Sequence, residues 1–358
     1  MKVGNINSEY QDKYITVRLI QDVTDDDLNS ANIEPSHLVN LKNFKYIINN
    51  NICTQMNGEL LGIILVTSYI GHDQLRAAHR QAISQDQLKE FGFLRVFLLA
   101  EIPKNEKFIS QEQVIDEQLR FNDLIQGNFN EAYRNLTYKH LMGLKWVLER
   151  CNNAKFIIKV DDDIVFDIYY INKFLRYFHP VDKYYIAGYV LSNQKTIRNQ
   201  GSKWYVSKEE YFYNFYPDYL SGWLYITNQQ TCKKLVLKSQ NENFFWIDDI
   251  FVTGILRNKL NIALIKFNDW YSANSQFLEC CLKDSINFFY ECEYFVGPNG
   301  GDTKLIINFL QQIKKCYLKL KLCKTRPENK SLKKTCVAEA KNLLERDHGE
   351  PFIRSLRL

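Results

Sequence analysis

The chain has 358 residues, of which 46% are hydrophobic and 14% aromatic, enough for a substantial core in one large domain or two modest ones. Its formal net charge of +5 is uneven, because residues 311–358 carry 13 Lys and Arg against 5 Asp and Glu. No nucleic-acid motif accompanies this basic end, so we predict a solvated helical tail over residues 301–358 and no nucleic-acid partner.

Strand-like and helix-like patterns alternate along the rest of the chain. Residues 1–45 are rich in Asn and Asp without clear periodicity, which predicts a stem or loosely packed lead-in. Short apolar runs predict buried strands at residues 60–66, 93–100, 156–160, 184–191 and 220–227. Helical patterns are found at residues 73–90, 112–124, 135–151, 169–178 and 251–258. The alternation favours an α/β fold, with a mostly parallel central sheet flanked by helices in a single domain over residues 46–300.

Three consecutive carboxylates, Asp161, Asp162 and Asp163, follow the apolar strand that begins at Phe156. The end of a buried strand lies at the rim of a sheet, where ligands bind in open α/β folds. Adjacent carboxylates repel one another unless a cation neutralises them, and carboxylate oxygens suit Mg²⁺ or Mn²⁺ with substrate phosphates in the same shell. The pattern therefore indicates a metal site that holds a diphosphate. The alternative is an acidic turn in which Asp163 or Asp167 caps the next helix.

A second acidic pair, Asp248 and Asp249, lies between large apolar residues such as Trp246 and Phe251. Poor solvation raises the pKa of a carboxyl group and makes it a better base, so the pair predicts a general base. A helix N-cap is an alternative that does not exclude this role. Metal-assisted phosphoester hydrolysis would use the same parts as a metal-diphosphate centre with a base, so the chemistry leaves two classes open.

Four cations are candidates for countering phosphate charge. Arg76 and Arg80 lie four residues apart, hence on one face of the helix predicted after the first strand. Lys139 and Lys159 are further candidates, although an isolated lysine is more often a solvated surface charge. Neither GxGxxG nor GxxxxGK[ST] occurs, which argues against dinucleotide enzymes and ATPases. We interpret His140 as structural rather than catalytic.

Five motifs occur in order: Arg76-Ala-Ala-His-Arg80, Asn135-Leu-Thr-Tyr-Lys139, Lys159-Val-Asp-Asp-Asp163, Tyr216-Pro-Asp-Tyr219 with Ser221-Gly222, and Asp248-Asp-Ile-Phe-Val-Thr-Gly254. Across roughly residues 38–300 this set resembles the β-1,3-galactosyltransferase family, which includes β-1,3-N-acetylglucosaminyltransferases and is related to the fringe enzymes. Asp248 stands where most members have Glu, a form most similar to the nematode-type branch. The resemblance implies a glycosyltransferase-A fold, a UDP-sugar donor, and a Golgi type II membrane setting with the catalytic domain on the lumenal side.

The resemblance also implies roles for the acids. Asp161, Asp162 and Asp163 match the Asp-x-Asp metal motif, with Asp163 as the direct Mn²⁺ (or Mg²⁺) ligand. Asp161 would face the donor ribose or sugar and is the second metal candidate, and Asp162 belongs to the donor-binding set. Asp249 is the best candidate base, with Asp248 beside it.

Arg76 and Arg80 match the family's arginines on the nucleotide side. Cys53 and Cys151 fall where family members have cysteines, so the resemblance implies a disulfide between them. The nine cysteines are scattered without a CxxC pair, which fits a secretory protein with a few disulfides better than a zinc ribbon. Residues 1–30 show no signal peptide or anchor, so we expect either a cytosolic protein or an N-terminus that lacks its targeting segment.

Three departures from the family pattern affect the expected site. The Trp that usually closes the first motif is missing after Arg80. The glycine-rich stretch after Ser221 is reduced to Gly222-Trp223-Leu224, which affects the sugar or acceptor pocket. Family members often place a histidine downstream of the base to complete the metal shell, and the only later histidine here is His348.

The motifs predict inverting, metal-dependent transfer of a hexose, either galactose or N-acetylhexosamine, from a UDP-sugar to the 3-hydroxyl of an acceptor glycan on protein or lipid. Golgi membrane association is expected by resemblance, although the chain contains no anchor. Two alternatives stay open: a catalytically degenerate member acting as a lectin-like or chaperone protein, and a metal-dependent phosphohydrolase. The aromatic stretch at residues 204–223 favours a sugar acceptor, because aromatic faces stack on pyranose rings, although we expect most of these aromatics to be core.

Overall fold

The computed structural model describes residues 33–56, 58–318 and 323–337, which form a mixed α/β domain around a large central sheet. The strands of the described part are, in chain order, β1 Tyr46–Ile48, β2 Gly62–Thr67, β3 Phe93–Glu101, β4 Leu124–Asn130, β5 Phe156–Asp161, β6 Ile164–Phe166, β7 Tyr185–Leu191, β8 Tyr219–Asn228, β9 Ala263–Lys266 and β10 Val296–Pro298. All five predicted strands are present. The three strands β1, β4 and β9 of the central sheet are additions to the prediction.

The order of the described strands in the central sheet is β1-β4-β3-β2-β5-β8-β7-β9, and β6 pairs with β10 in a separate antiparallel ribbon. Four of the seven pairings described in the central sheet are parallel, including β4-β3-β2-β5 at its centre, which confirms the α/β class. Thr67 of β2 lies opposite Asp161 of β5, so these strands end at one edge. β8 runs antiparallel to β5 and therefore begins near that edge, at Tyr219. We call it the carboxyl edge.

Helices cover both faces of the sheet. Within the described residues they are α1 Asp73–Ala82, α2 Gln85–Glu90, α3 Gln111–Phe121, α4 Leu136–Arg150, α5 Ile168–Leu175, α6 Gln229–Ser239, α7 Arg257–Lys259, α8 Ser275–Phe288, α9 Thr303–Leu318 and α10 Leu332–Thr335. A π-helical segment, Ile250–Leu256, runs into α7. Successive residues of β2 point to opposite faces, so Ile63 belongs to the apolar layer that includes α4 and α6, whereas Ile64 belongs to the layer that includes α1, α5 and α9. The central strands are thus buried on both sides.

The helix predicted at residues 73–90 is wrong as a single element. α1 ends at Ala82, Ile83 is extended, and Ser84 begins α2. The Ser84 hydroxyl accepts from the Gln87 amide at 3.2 Å and the Gln87 side chain accepts from the Ser84 amide at 3.1 Å. This reciprocal capping starts a new helix, and its Ser-x-x-Gln pattern is visible in the sequence.

Packed residues extend beyond both expected boundaries of the domain. Leu38 and Phe44 are buried, so the packed domain begins within the expected lead-in of residues 1–45. At the other end α9 packs against α1 and buries Ile306 and Phe309, so this part of the expected tail is not a solvated helix. Residues 1–32 of the lead-in and residues 338–358 of the tail lie outside the described residues.

The disulfide implied between Cys53 and Cys151 is confirmed, with the two Cα atoms 5.3 Å apart. Three further disulfides among the described residues are confined to the C-terminal part: Cys280–Cys336, Cys281–Cys292 and Cys316–Cys323. Such a set is typical of proteins that mature in an oxidising compartment. None of the helices in the described ranges has the length and apolar character needed to cross a bilayer.

Candidate active site

Gly222 in β8 brings the two acidic motifs together. A Cβ atom built on Gly222 would lie 3.5 Å from Lys159 Nζ, 3.6 Å from Asp161 Oδ2 and 3.7 Å from Asp249 Cβ. A side chain much larger than a methyl group would therefore fill the space between the acids. The end of β5 and the start of the π-helical segment meet here, at the carboxyl edge.

Lys159 is buried between the two motifs. Its ammonium group donates to Asp161 Oδ1 at 2.6 Å and to the Gly222 carbonyl at 2.7 Å, and lies 3.9 Å from Asp248 Oδ2. Burial lowers the pKa of a lysine, but the charges of Asp161 and Asp248 outweigh burial, so the pKa of Lys159 is raised. The lysine therefore stays charged and neutralises part of the acidic cluster, rather than standing free to bind a phosphate.

Asp162 is held by two histidines that sequence reasoning missed. His72 Nδ1 contacts Asp162 Oδ2 at 2.9 Å, and His79 Nε2 contacts the Asp162 carbonyl at 2.8 Å. Burial and the charge of Arg95 lower the pKa of His79 to about 4, so at neutral pH His79 is uncharged and Nε2 must carry the proton that it donates. The two histidines are seven residues apart, on one side of α1, which is the signal that would have linked them.

The histidine contacts hold Asp162 inward, and its neighbours Asp161 and Asp163 are more exposed. Asp163 is exposed and the side chain of Asp161 is partly exposed. Their carboxylate oxygens fit Mn²⁺ or Mg²⁺, which take remaining ligands from phosphate and water. No group of three or more metal-ligating residues occurs in the described part of the chain, and His348 lies outside it. Asp167, by contrast, caps α5 by accepting from the Tyr170 amide at 2.9 Å, as the alternative interpretation of the acidic turn expected.

Arg76 and Arg80 are engaged away from the acids. Arg76 is buried and makes a bidentate pair with Glu117 at 2.8 and 2.7 Å, and it also donates to the carbonyl of Tyr69 at 2.9 Å. Arg80 pairs with Asp123 at 2.7 Å and with Glu117 at 2.7 Å. Removing Arg80 would take the paired cation from the buried Asp123, and removing Arg76 would take the bidentate partner from Glu117, which is costly at buried sites. The packing therefore uses both to anchor α1, and does not present them as free cations to the acidic cluster.

Lys139 is engaged in the same way. Its buried ammonium group donates to Glu131 Oε1 at 2.6 Å and to the Ser68 carbonyl at 2.6 Å. Ser68 directly follows β2, and Arg76 also donates to the Ser68 hydroxyl at 3.2 Å. Both cations thus shape the loop after β2 at the carboxyl edge.

Asp248 and Asp249 have different surroundings. Asp248 Oδ2 contacts Nδ1 of the buried His140 at 2.9 Å, and His140 Nε2 contacts the Tyr225 hydroxyl at 2.7 Å. Burial opposes ionisation of Asp248, but Lys159 and His140 outweigh it and hold the pKa well below its usual range. Burial and the charge of Asp248 instead raise the pKa of Asp249. Neighbouring carboxyl groups with pKa values pushed apart are the pattern of acid–base sites.

Asp249 lines a small cavity of about 40 Å³ together with Gln194, Lys195, Trp204 and Tyr216. The buried Tyr216 hydroxyl has no hydrogen-bond partner among the described residues. Of the nine aromatics of residues 204–223, Tyr216 and Tyr219 are buried, and three more pack against the core (Trp204, Tyr211 and Trp223), so the expectation that most are core is confirmed. Aromatic faces and a hydroxyl beside a carboxylate suit a sugar ring.

Comparison with known proteins finds matches over the part of the chain that contains both acidic motifs. Residues 74–268 match the galactosyltransferase family profile. Human β-1,3-galactosyltransferase 5 is 31% identical over 204 residues, covering 56% of this chain and 64% of that protein. Human β-1,3-galactosyltransferase 2 is 31% identical over 239 residues, with coverage of 64% and 56%, so the chain spans less than two thirds of these two relatives. Mouse β-1,3-galactosyltransferase 1 is 30% identical over 241 residues, with coverage of 66% and 72%.

Two solved glycosyltransferase structures also match. One is a glycosyltransferase involved in glycosylation of the major capsid of PBCV-1, 11% identical with a TM-score of 0.34, covering 68% of this chain and 96% of that one. The other is the bifunctional glycosyltransferase WbbM without ligand, 10% identical with a TM-score of 0.36, covering 74% and 51%.

Proposed function

The chain belongs to the galactosyltransferase family, and from that premise we propose that it is a hexosyltransferase that moves a sugar from a UDP-sugar to an acceptor glycan. The sugar is galactose or an N-acetylhexosamine, the receiving group is a 3-hydroxyl, and the anomeric centre is inverted. The observation that carries this proposal is the meeting of Asp161, Lys159 and Asp249 around Gly222, with the aromatic cavity on the side of Asp249. Because Asp249 adjoins both the acidic motif and the aromatic cavity, a donor bound at the first and an acceptor bound at the second would meet beside its carboxylate.

Asp249 is the proposed general base. It takes the proton of the acceptor hydroxyl while that oxygen attacks the anomeric carbon from the side opposite UDP. The bond from that carbon to the β-phosphate oxygen breaks, and its electron pair leaves with UDP. Base catalysis of this kind contributes about 10²–10⁴-fold. Asp248 supports it from the neighbouring position, because a permanent negative charge makes Asp249 a stronger base.

Asp163 and Asp161 are the residues that would hold a divalent cation, Mn²⁺ or Mg²⁺, whose chemistry is to neutralise negative charge on a departing diphosphate. His72 and His79 keep the backbone of this loop in position through Asp162. Lys159 holds Asp161 with a charged hydrogen bond. Arg76 and Lys139 support the neighbouring loop after β2 rather than touching the donor.

The proposed location is the lumenal side of the Golgi membrane. Four disulfides among the described residues favour an oxidising compartment, because cytosolic thiols stay reduced. The family membership supports the same location by analogy.

A donor screen tests this function. The full chain is incubated with Mn²⁺, an acceptor glycan array and each of UDP-galactose, UDP-N-acetylglucosamine, UDP-N-acetylgalactosamine and UDP-glucose, and the product linkage is determined by NMR. Transfer to a 3-hydroxyl supports the proposal. Release of free sugar without transfer would favour a hydrolase, and UDP binding without either reaction would favour a lectin-like role.

A further inference from the structure

Three aromatic side chains project from the loop that joins β7 to β8 at the carboxyl edge. Phe212, Tyr213 and Phe215 are 74%, 67% and 50% exposed. We call them the aromatic ridge. Apolar surface in water is unfavourable, and several large aromatics exposed together usually mark a contact site.

The loop that carries the ridge is firmly built. Arg198 donates from Nη1 to the carbonyls of Val206 and Ser207 at 2.7 and 2.6 Å. Its Nη2 donates to the carbonyls of Tyr211 and Tyr213 at 2.6 and 2.8 Å. One partly buried guanidinium group therefore orders the loop around itself, and the ridge is exposed on an ordered segment.

The ridge adjoins the cavity at Asp249. Lys195 pairs with Phe215 across the loop, and Lys195 also lines the cavity. Tyr216 follows the ridge in sequence and lines the same cavity. A molecule whose reacting hydroxyl reaches the cavity would therefore extend its other end over the ridge.

The surroundings of the ridge are basic. Lys195, Lys203 and Lys208 are exposed, and Lys208 Nζ lies 5.5 Å from the centre of the Phe212 ring. The same loop has four basic residues against three acids, Glu209, Glu210 and Asp218, and Glu210 is already paired with Arg134. Aromatic rings combined with lysines are typical of surfaces that enter the headgroup region of a bilayer, where rings bury and lysines meet lipid phosphates.

We propose that the aromatic ridge docks the enzyme on a lipid surface and that its acceptor is a glycolipid. The reacting hydroxyl of the glycan reaches the cavity at Asp249 while Phe212, Tyr213 and Phe215 enter the headgroup layer beside it. The identity of the acceptor rests on the proposed function, whereas the docking does not. A protein-linked acceptor would need a complementary protein surface, and the lysine-rimmed phenylalanines favour lipid.

The test uses the full chain, the double variant Phe212→Ser/Tyr213→Ser and the control Tyr177→Ser/Val181→Ser. Tyr177 is 80% exposed and Val181 is fully exposed, and both precede the start of β7, at the opposite edge of the sheet. Flotation with phosphatidylcholine vesicles, with and without phosphatidylserine, measures docking. Transfer is measured on a ceramide-linked oligosaccharide in vesicles and on the same oligosaccharide released from ceramide.

We expect the ridge variant to lose vesicle binding about tenfold and to show a similarly raised KM for the ceramide-linked acceptor, with unchanged kinetics on the free oligosaccharide. The control should behave as the unmodified protein. Equal vesicle binding by both variants, or an equal loss of transfer by the ridge variant on the ceramide-linked and the released oligosaccharide, would overturn the proposal. If no form transfers sugar but only the ridge variant fails to bind vesicles, docking is supported and the proposed function is the part that fails.

Discussion

His140 and Asp248 lie 108 residues apart in sequence, and a 2.9 Å contact from His140 Nδ1 to Asp248 Oδ2 joins them in the core of the site. The contact, with Lys159 nearby, keeps Asp248 ionised. The charge of Asp248 then raises the proton affinity of Asp249. His140 is thus structural, as expected, but what it positions is one of the two acids.

Replacing the proposed base gives the first prediction. Asp249→Asn should lower kcat by about 10²-fold or more and leave the donor KM nearly unchanged, because the amide keeps the shape but cannot accept the proton. The matched control is Asp182→Asn, an exposed residue at the opposite edge of the sheet. Steady-state kinetics on both variants decide the matter, and near-normal turnover of Asp249→Asn would assign the base elsewhere.

The pH profile gives the second prediction. A base works only when ionised, so kcat/KM should fall as the pH drops through the pKa of Asp249, which burial and the charge of Asp248 raise well above its usual range. Asp248→Asn removes the neighbouring charge and should lower the pKa of Asp249. The acidic limb of the profile should therefore move to lower pH, and a limb that stays in place would contradict this electrostatic coupling.

A third prediction concerns the proposed cation. Asp163→Ala should abolish Mn²⁺-dependent binding of UDP, whereas Asp182→Ala should not. In the unmodified protein Mn²⁺ should bind weakly alone and more tightly with UDP, because the two carboxylates leave most of the shell to phosphate and water. The coupling must be reciprocal. Calorimetry measures the affinity for Mn²⁺ with and without UDP and the affinity for UDP with and without Mn²⁺. If Asp163→Ala binds UDP in the presence of Mn²⁺ as tightly as the unmodified protein does, the ligand assignment is refuted.

The fourth prediction tests His79 as a positioning residue. His79→Leu keeps apolar packing on Phe97 and Phe166 but leaves the Asp162 carbonyl unpaired. An unpaired buried acceptor costs about 1–3 kcal/mol, so we expect UDP affinity in saturating Mn²⁺ to fall about tenfold.

His79→Gln, which retains a donor, should restore part of that affinity. The control His179→Leu changes an exposed histidine at the opposite edge. Calorimetric titration with UDP and a thermal melt are run on each variant. A lowered melting temperature with unchanged UDP affinity would reduce His79 to a packing residue.

The central strands and the acidic motifs could be predicted because their signals are local. The apolar run from Phe156 and the carboxylates that follow it specify a strand and its end, and the capping box at Ser84 is an equally local signal. The partners of Arg76 could not be predicted in this way. Glu117 is 41 residues away, and only the packing of α1 against α3 brings the two charges together.

The dependence on contacts that the sequence does not reveal also explains why the burial of individual aromatic residues between β7 and β8 could not be predicted. Composition cannot distinguish Tyr216, which is buried, from Phe215 beside it, which is half exposed. The difference arises from the folding of the loop around Arg198, whose bonds reach backbone carbonyls of four different residues. Backbone acceptors carry no residue-specific signal in the sequence.

The packing of α9 against α1 sets a lower limit on the length of the segment that can fold independently. α1 and its N-cap residue His72 supply both histidines that hold Asp162, and Ile306 and Phe309 of α9 close the apolar layer beneath α1. The stretch that matches the family profile ends at residue 268, before α9 begins. A fragment truncated to that stretch would expose the apolar face of α1 to solvent. The smallest independently folding segment that contains the acidic motifs must therefore extend through Leu318.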